Sequence, residues 1–208
     1  MLNKYRPPSR LKALTSGLLT WEMPAGQNKI YITFDDGPDA RVTPSVMGLL
    51  DRYQAKATFF LLGRNVEKYP FFPEHLRSRG HSIGNHSFSH PDGWKCSSRL
   101  YLEDVQKCSQ WMDSKLFRPP YGRITIPQAR QLKKQGFNLF MWSVLSNDFD
   151  RFSNPAQCLA KTIRYTTDGA IVVFHDSLKA EKKMLFMLEG FLEHFSREGF
   201  SFEALPVE

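Results

Sequence analysis

Apolar positions along this 208-residue chain follow two periods in alternation. Short runs rich in β-branched and aromatic residues predict strands over 30–34, 57–62, 138–144 and 170–174, with a strand end over 81–84 and a final strand over 200–205. Between them the period lengthens to that of a helix. Val46, Leu49, Leu50 and Tyr53 fall at i, i+3, i+4 and i+7, and Thr43 and Pro44 read as the cap and first position of that helix. Pro73 starts a short helix that Gly80 ends. Tyr101, Val105, Cys108 and Met112 form another stripe, Pro127 and Gly136 bracket a further helix, and Asn154 and Pro155 open the next. The last helix carries Met184, Leu188, Phe191, Leu192 and Phe195 and ends near Gly199.

Strands alternating with helices predict an α/β fold with a parallel sheet, open or closed into a barrel. No repeat, low-complexity tract or linker interrupts the pattern. We expect an N-terminal arm over 1–28 and one domain over 29–208. In parallel folds the working residues sit at the C-terminal ends of the strands. The chemically capable residues here do follow the strands: Asp35 and Asp36 the first, His86 and His90 the third, Asp148 the run 138–144, and His175 the run 170–174.

Composition narrows the picture little. Hydrophobic residues make up 41% and charged residues 24%, as in an ordinary globular protein, and 17 Phe supply ample core. The net charge of +7, from 28 Lys and Arg against 21 Asp and Glu, is read as a solvated basic surface. Its members include Lys4, Arg6, Arg10 and Lys12, then Lys179, Lys182 and Lys183. No zinc-finger spacing, RNA-binding signature or basic heptad accompanies them, so no nucleic-acid partner is expected. Cys96, Cys108 and Cys158 are odd in number and unrelated in spacing, which argues against both a disulfide framework and a thiolate metal site. Leu18, Leu19 and Trp21 among polar residues are too weak for a signal-peptide core, and no run approaches the roughly 20 apolar residues of a membrane helix. The expectation is a soluble chain without a clear signal peptide.

Four segments carry chemistry. In TFDDGP, adjacent Asp35 and Asp36 at a strand end need partners if buried, and a turn with solvated carboxylates is the other reading. In HSIGNHSFSHP, His86 and His90 are four apart, so one helical turn would place both imidazoles on one face. Two histidines with a carboxylate and open positions make a catalytic rather than a structural zinc arrangement. His81, the third of the six histidines to fall here, is expected to hold the loop. In RPPYG, consecutive prolines stiffen the backbone before Tyr121, and Arg118 suits a carboxylate partner or a plain turn. His175 ends an apolar strand, where a lone histidine is more often structural.

Taken together, TFDDGP, the H-S-x-x-H of residues 86–90, RPPYG and the late histidine strand resemble the polysaccharide deacetylase family, also called NodB-homology or carbohydrate esterase family 4 domains. The resemblance runs from about residue 30 to the last strand. It implies a distorted (β/α) barrel and a metal-dependent hydrolase removing N-acetyl or O-acetyl groups from a carbohydrate, with a role at the cell envelope. By this resemblance Asp35 is the catalytic base and Arg118 the residue that tunes it. Asp36, His86 and His90 hold a divalent metal, zinc first, with cobalt or nickel also accepted. The Tyr121 backbone N–H is the oxyanion donor, and His175, partnered by Asp148, is the general acid. Pro120, Tyr121, Phe149, Val173 and Trp94 are the expected substrate contacts. The chain departs from the family pattern in having Leu145 where an aspartate is common, Phe149 for a tryptophan, and Val173 for a leucine. The motifs are shared with hydrolases of other amides, such as deformylases and small-amide hydrolases, and a non-catalytic carbohydrate-binding module is a further alternative.

Overall fold

The computed structural model describes residues 4–207, so Met1, Leu2 and Asn3 of the predicted arm and the terminal Glu208 lie outside the described residues. In chain order the elements are α1 (Ser9–Thr15), β1 (Lys29–Asp35), α2 (Val42–Arg52), β2 (Ala57–Leu61), α3 (Gly63–Lys68), α4 (Phe72–Ser78), β3 (Ser82–Asn85), α5 (Ser98–Ser109), β4 (Leu116–Phe117), α6 (Ile126–Lys134), β5 (Asn138–Leu139), β6 (Val144–Leu145), α7 (Pro155–Tyr165), β7 (Ile171–His175), α8 (Glu181–Arg197) and β8 (Ser201–Phe202).

Alternation along β1 assigns its two faces. Ile30, Ile32 and Phe34 join the main core with Val46 and Leu50 of α2 and Leu188 and Phe191 of α8. Phe34 lies 5.0 Å from Phe59 of β2 and 6.1 Å from Phe174 of β7, ring centre to ring centre. Tyr31, Thr33 and Asp35 take the opposite face. There Tyr31 packs beside Phe60, Leu116, Phe140, Ile171 and Leu205, and Thr33 meets the buried Arg118 guanidinium.

All strand pairs are parallel, in the order β5-β4-β3-β2-β1-β7-β6, with β8 paired to the start of β1. The outermost strands, β5 and β6, are consecutive in the chain and joined by residues 140–143 alone. Five Cα steps reach at most roughly 18 Å, so the sheet must curl until its two edges face each other. The result is the distorted (β/α) barrel. It also explains why the predicted strand over 138–144 is broken: its first part pairs with β4, its last with β7, and the middle crosses between edges.

The N-terminal segment is packed into this gap. Thr20 bridges Phe140, Glu22 bridges Ala170, and the Leu145 N–H donates to the Tyr5 carbonyl at 2.9 Å. Tyr5, Leu19 and Trp21 are buried, while α1 buries nothing. One helix start differs from expectation. Helix α2 begins at Val42, and Asp39 Oδ1 accepts from the Arg41 and Val42 N–H groups at 2.9 and 3.0 Å. Thr43 does not cap it. Its hydroxyl accepts from the Asp39 N–H at 2.9 Å and donates to Asp176 at 2.6 Å.

Candidate active site

Register alone assembles half of the site. In the β1–β7 pairing Asp35 stands opposite His175, both at the C-terminal ends of their strands, where parallel folds keep their reactive groups. Arg118 follows β4, and its backbone N–H donates to Asn85 at the end of β3 at 3.1 Å. The loop after β6 brings Asp148. A cleft of about 380 Å³ opens over these strand ends, lined by Asp35, Asp36, His86, His90, Tyr121, Gly122, Arg123, Trp142, Leu145, Phe149, Val173 and His175.

Asp35 is buried, and a buried carboxylate needs charged or hydrogen-bonding partners. Arg118 Nη1 donates to its Oδ1 at 2.8 Å and to Thr33 Oγ1 at 2.6 Å. Nε donates to the Phe140 carbonyl at 3.3 Å and Nη2 to the Met141 carbonyl at 2.8 Å. The guanidinium sits 4.2 Å from the Phe60 ring centre. Gly84 makes room for that ring, since a Cβ there would overlap it.

Asp36 is turned away from Asp35 by a left-handed backbone (φ 77°), and Asn65 Nδ2 fixes its carbonyl at 2.8 Å. Its Oδ1 lies 3.2 Å from His90 Nε2 and 3.8 Å from His86 Nε2. One ligand atom from each of Asp36, His86 and His90 falls within 4.8 Å of the others, the only such group among the described residues. His86 Nδ1–H donates to the Arg118 carbonyl at 2.8 Å, which fixes the tautomer and leaves the Nε2 lone pair facing Asp36, as metal-binding histidines require. The donor set therefore fits a divalent ion of the zinc class. Burial raises the Asp36 pKa, yet the His90 hydrogen bond and the nearby His175 and His86 outweigh it and hold the group below the usual carboxylate range.

The two histidines do not share a helical face. Residues 86–90 form an irregular loop with Ser87 and His90 in the left-handed region. The loop is shaped from outside: Asp104 of α5 accepts from the Phe88 and Ser89 N–H groups at 2.7 and 3.0 Å, and Asn85 Oδ1 from the Ser87 N–H at 2.7 Å. Five of the seven described non-glycine residues with positive φ are Asp36, Ser87, His90, Tyr121 and Asn147, all beside candidate site residues. Backbone strain of this kind concentrates where function over-determines geometry.

On the other wall, Asp148 holds His175 with both oxygens: Oδ1 to Nδ1 at 2.8 Å and Oδ2 to the backbone N–H at 2.7 Å. Burial alone would lower the His175 pKa, but the Asp148 charge and hydrogen bond raise it to about 9. Phe149 lies edge-on to the imidazole at 5.0 Å.

The structure brings Tyr121, Phe149 and Val173 to the cleft and leaves two predicted contacts out. Pro120 is buried in the 3-10 turn Pro120–Gly122. Trp94 lines a separate side groove with Gly122, Ile124 and Ile126 and donates from Nε1 to the Ile124 carbonyl at 3.3 Å. His81 does not hold the site loop either. It stands at the opposite end of β3, where its Nδ1 accepts from the Ala57 N–H at 3.2 Å. Asn65, Asn85, Asp104, Arg123 and Trp142 carried no sequence signal.

A family model described as polysaccharide deacetylase matches residues 22–140. That span holds Asp35, Asp36, His86, His90, Arg118 and Tyr121 and stops before Asp148 and His175. The chain is 31% identical over 194 residues to a peptidoglycan-N-acetylglucosamine deacetylase of Bacillus cereus, covering 90% of this chain and 91% of that one. It is 32% identical over 197 residues to the peptidoglycan-N-acetylglucosamine deacetylase PgdA of Listeria monocytogenes, covering 91% of this chain but 41% of that protein. The crystal structure of a peptidoglycan N-acetylglucosamine deacetylase with 4-naphthalen-1-yl-N-oxidanyl-benzamide matches with a TM-score of 0.88, at 27% identity over 96% of each chain.

Proposed function

Because the chain belongs to the polysaccharide deacetylase family, hydrolases of carbon–nitrogen bonds other than peptide bonds, we propose that it is a metal-dependent enzyme that removes N-acetyl groups from a glycan of the cell envelope, N-acetylglucosamine in peptidoglycan first among them. The observation that carries this reading is the convergence on one cleft of a three-donor metal site, a buried Asp35–Arg118 pair and an Asp148–His175 pair. A binding module has no use for a base and an acid on opposite walls. The relatives' named substrates point to the envelope, and no helix among the described residues is long and apolar enough to cross a membrane.

Asp36, His86 and His90 would hold the ion, with zinc favoured by two imidazoles and one carboxylate and with cobalt or nickel accepted. When bound, it supplies a Lewis acid beside the acetyl carbonyl. Asp35 takes the proton of the attacking water. Its Oδ1 is fixed by Arg118, so the carboxylate cannot swing away. The Tyr121 backbone N–H donates to the oxygen that gains charge as the carbonyl is attacked. His175, protonated at neutral pH through Asp148, passes a proton to the departing amine from the nitrogen that Asp148 leaves exposed. Val173 and Leu145 give the acetyl methyl an apolar wall, and Phe149 and Trp142 flank the sugar.

The test is acetate release from N-acetylchito-oligosaccharides, peptidoglycan strands and acetylxylan, with metal content measured on the same samples. About one equivalent of metal is expected, with acetate release lost on chelation and in Asp35→Asn. Undiminished release in Asp35→Asn would sink the assigned mechanism. Bound metal without acetate from any glycan would hand the site to another amide.

A further inference from the structure

Asp148 is presented by residues 146–154, which have no regular structure between β6 and α7. Irregular backbone at a site ordinarily moves more than the elements it joins, yet Asp148 must keep both oxygens on His175. Lys183, in the first turn of α8, supplies the restraint. Its Nζ donates to the Asn147 carbonyl at 2.9 Å, the Asp150 carbonyl at 2.9 Å and Ser153 Oγ at 2.6 Å. An ammonium has three donors, and all three go to this loop.

The two carbonyls lie one residue before and two residues after Asp148. Each also accepts a bond within the loop, from the Asp150 N–H at 3.3 Å and the Ser153 N–H at 3.2 Å. The ammonium therefore pins two successive turns at once. Asn147 stands in the left-handed region, which asparagine tolerates better than most residues, so the ammonium holds a turn that the local sequence already permits. The Ser146 N–H donates to the Val173 carbonyl at 3.1 Å and anchors only the start of the loop; the ties around and after Asp148 are weaker. The Lys4–Asp150 ion pair at 3.1 Å is exposed, and exposed pairs hold little. Asn147 Nδ2 reaches the Lys4 carbonyl at only 3.4 Å. Beneath the loop, the Cys158 thiol donates to Ser153 Oγ at 3.2 Å, so the Lys183 contact extends into α7. The charge is partly buried and its bonds are charge-assisted, the stronger kind.

We propose that Lys183 is a positioning residue for the deacetylation reaction, holding Asp148 in two-point contact with His175 by tying the loop on both sides of it. Lys183 does not line the cleft and acts through Asp148, so the inference rests on the proposed roles of Asp148 and His175.

The experiment compares wild type with Lys183→Met, which keeps the stem and loses the donors, and Lys183→Arg, which restores N–H donors. Steady-state acetate release is measured with bound metal and thermal unfolding. The His175 Nδ1–H proton is followed by NMR on histidine-labelled protein, assigned by its loss in Asp148→Asn. In Lys183→Met, kcat is expected to fall about tenfold to a hundredfold, with KM and metal content held and the imidazole proton shifted or lost. Lys183→Arg recovers part of both. Wild-type kcat with an unmoved resonance in Lys183→Met overturns the proposal. So does a parallel loss of kcat, metal and folded protein that Lys183→Arg does not relieve, since that marks a purely structural contact. If Asp148→Asn itself releases acetate normally, the functional reading fails, while the proton resonance still reports whether Lys183 orders the loop.

Discussion

Two buried histidines stand at opposite ends of β3, His81 just before it and His86 just after. Their exposures are nearly the same, 4% and 2%, and burial lowers both pKa values, that of His81 to about 4. Both rings are neutral, and what separates them is their company. His81 accepts one N–H from Ala57 and packs edge-on against Phe59 at 5.4 Å, and its Nε2 has no partner among the described residues. His86 gives Nδ1–H to the Arg118 carbonyl and aims Nε2 at Asp36 and Asp35, 3.8 and 3.9 Å away. A buried histidine becomes a candidate ligand when its free lone pair meets other donors. In a parallel barrel that happens at the C-terminal end of the strands.

The sharpest test of this contrast separates activity from stability. His86→Ala removes a proposed ligand and should lower metal content and cut acetate release by roughly 10³-fold or more. His81→Phe leaves the Ala57 N–H without its acceptor and should cost about 1–3 kcal/mol of stability, with acetate release per folded molecule intact. Loss of metal from His81→Phe, or its retention in His86→Ala, would break the division between the two ends.

Arg118 joins the two roles, so Arg118→Met should injure both. It leaves Asp35 as an uncompensated buried charge, a loss of about 3–5 kcal/mol, and frees the carboxylate that would serve as base. Denaturant unfolding and acetate release on the same variant measure the two costs. An active variant of wild-type stability would show that Asp35 does not depend on this pair.

The next effect is on pH dependence. His175 is raised to about 9 by Asp148, against about 6.5 for a free imidazole. In its proposed role as proton donor it must be charged, so the rate should fall as pH rises through about 9. The same shift stabilises the fold fully below about 6.5 and is lost as pH rises through 9. Asp148→Asn removes the raising charge, and the alkaline limb of the pH–rate profile should move down toward 6.5. A limb that stays in place would assign the proton donor elsewhere.

Much of this was legible in the chain because it depends on local pattern. The apolar run over 30–34 marks a strand, and Asp35 directly after it falls where a parallel fold keeps its reactive groups. The histidine spacing, by contrast, suggested a helical turn where there is a strained loop. That loop is made by Asp104, whose carboxylate reaches Phe88 and Ser89 from 16 and 15 positions away. Bonds from a distant side chain to backbone leave no periodic trace. The same holds for Asn65 on Asp36 and Lys183 on Asn147, the latter indistinguishable in sequence from its solvated basic neighbours. The broken strand over 138–144 was hidden too, because barrel closure is a property of the whole sheet.

The smallest expected effect concerns two aromatics that the sequence placed together. Phe149 faces the cleft against His175, whereas Trp94 is turned into the side groove, its indole N–H bound to Ile124. An aromatic contact is worth about 0.5–1.5 kcal/mol beyond area burial. Phe149→Ala should therefore raise KM for a short N-acetylated oligosaccharide about threefold to tenfold. Trp94→Ala should leave KM for the same substrate unchanged, because a sugar held over Asp36, His86 and His90 does not need the side groove. The two variants are best compared on substrates of increasing length. A Trp94→Ala penalty that appears only with longer chains would mean that the groove receives sugars beyond the cleft. Equal penalties on the shortest substrate would place Trp94 in the site itself and join the side groove to the cleft.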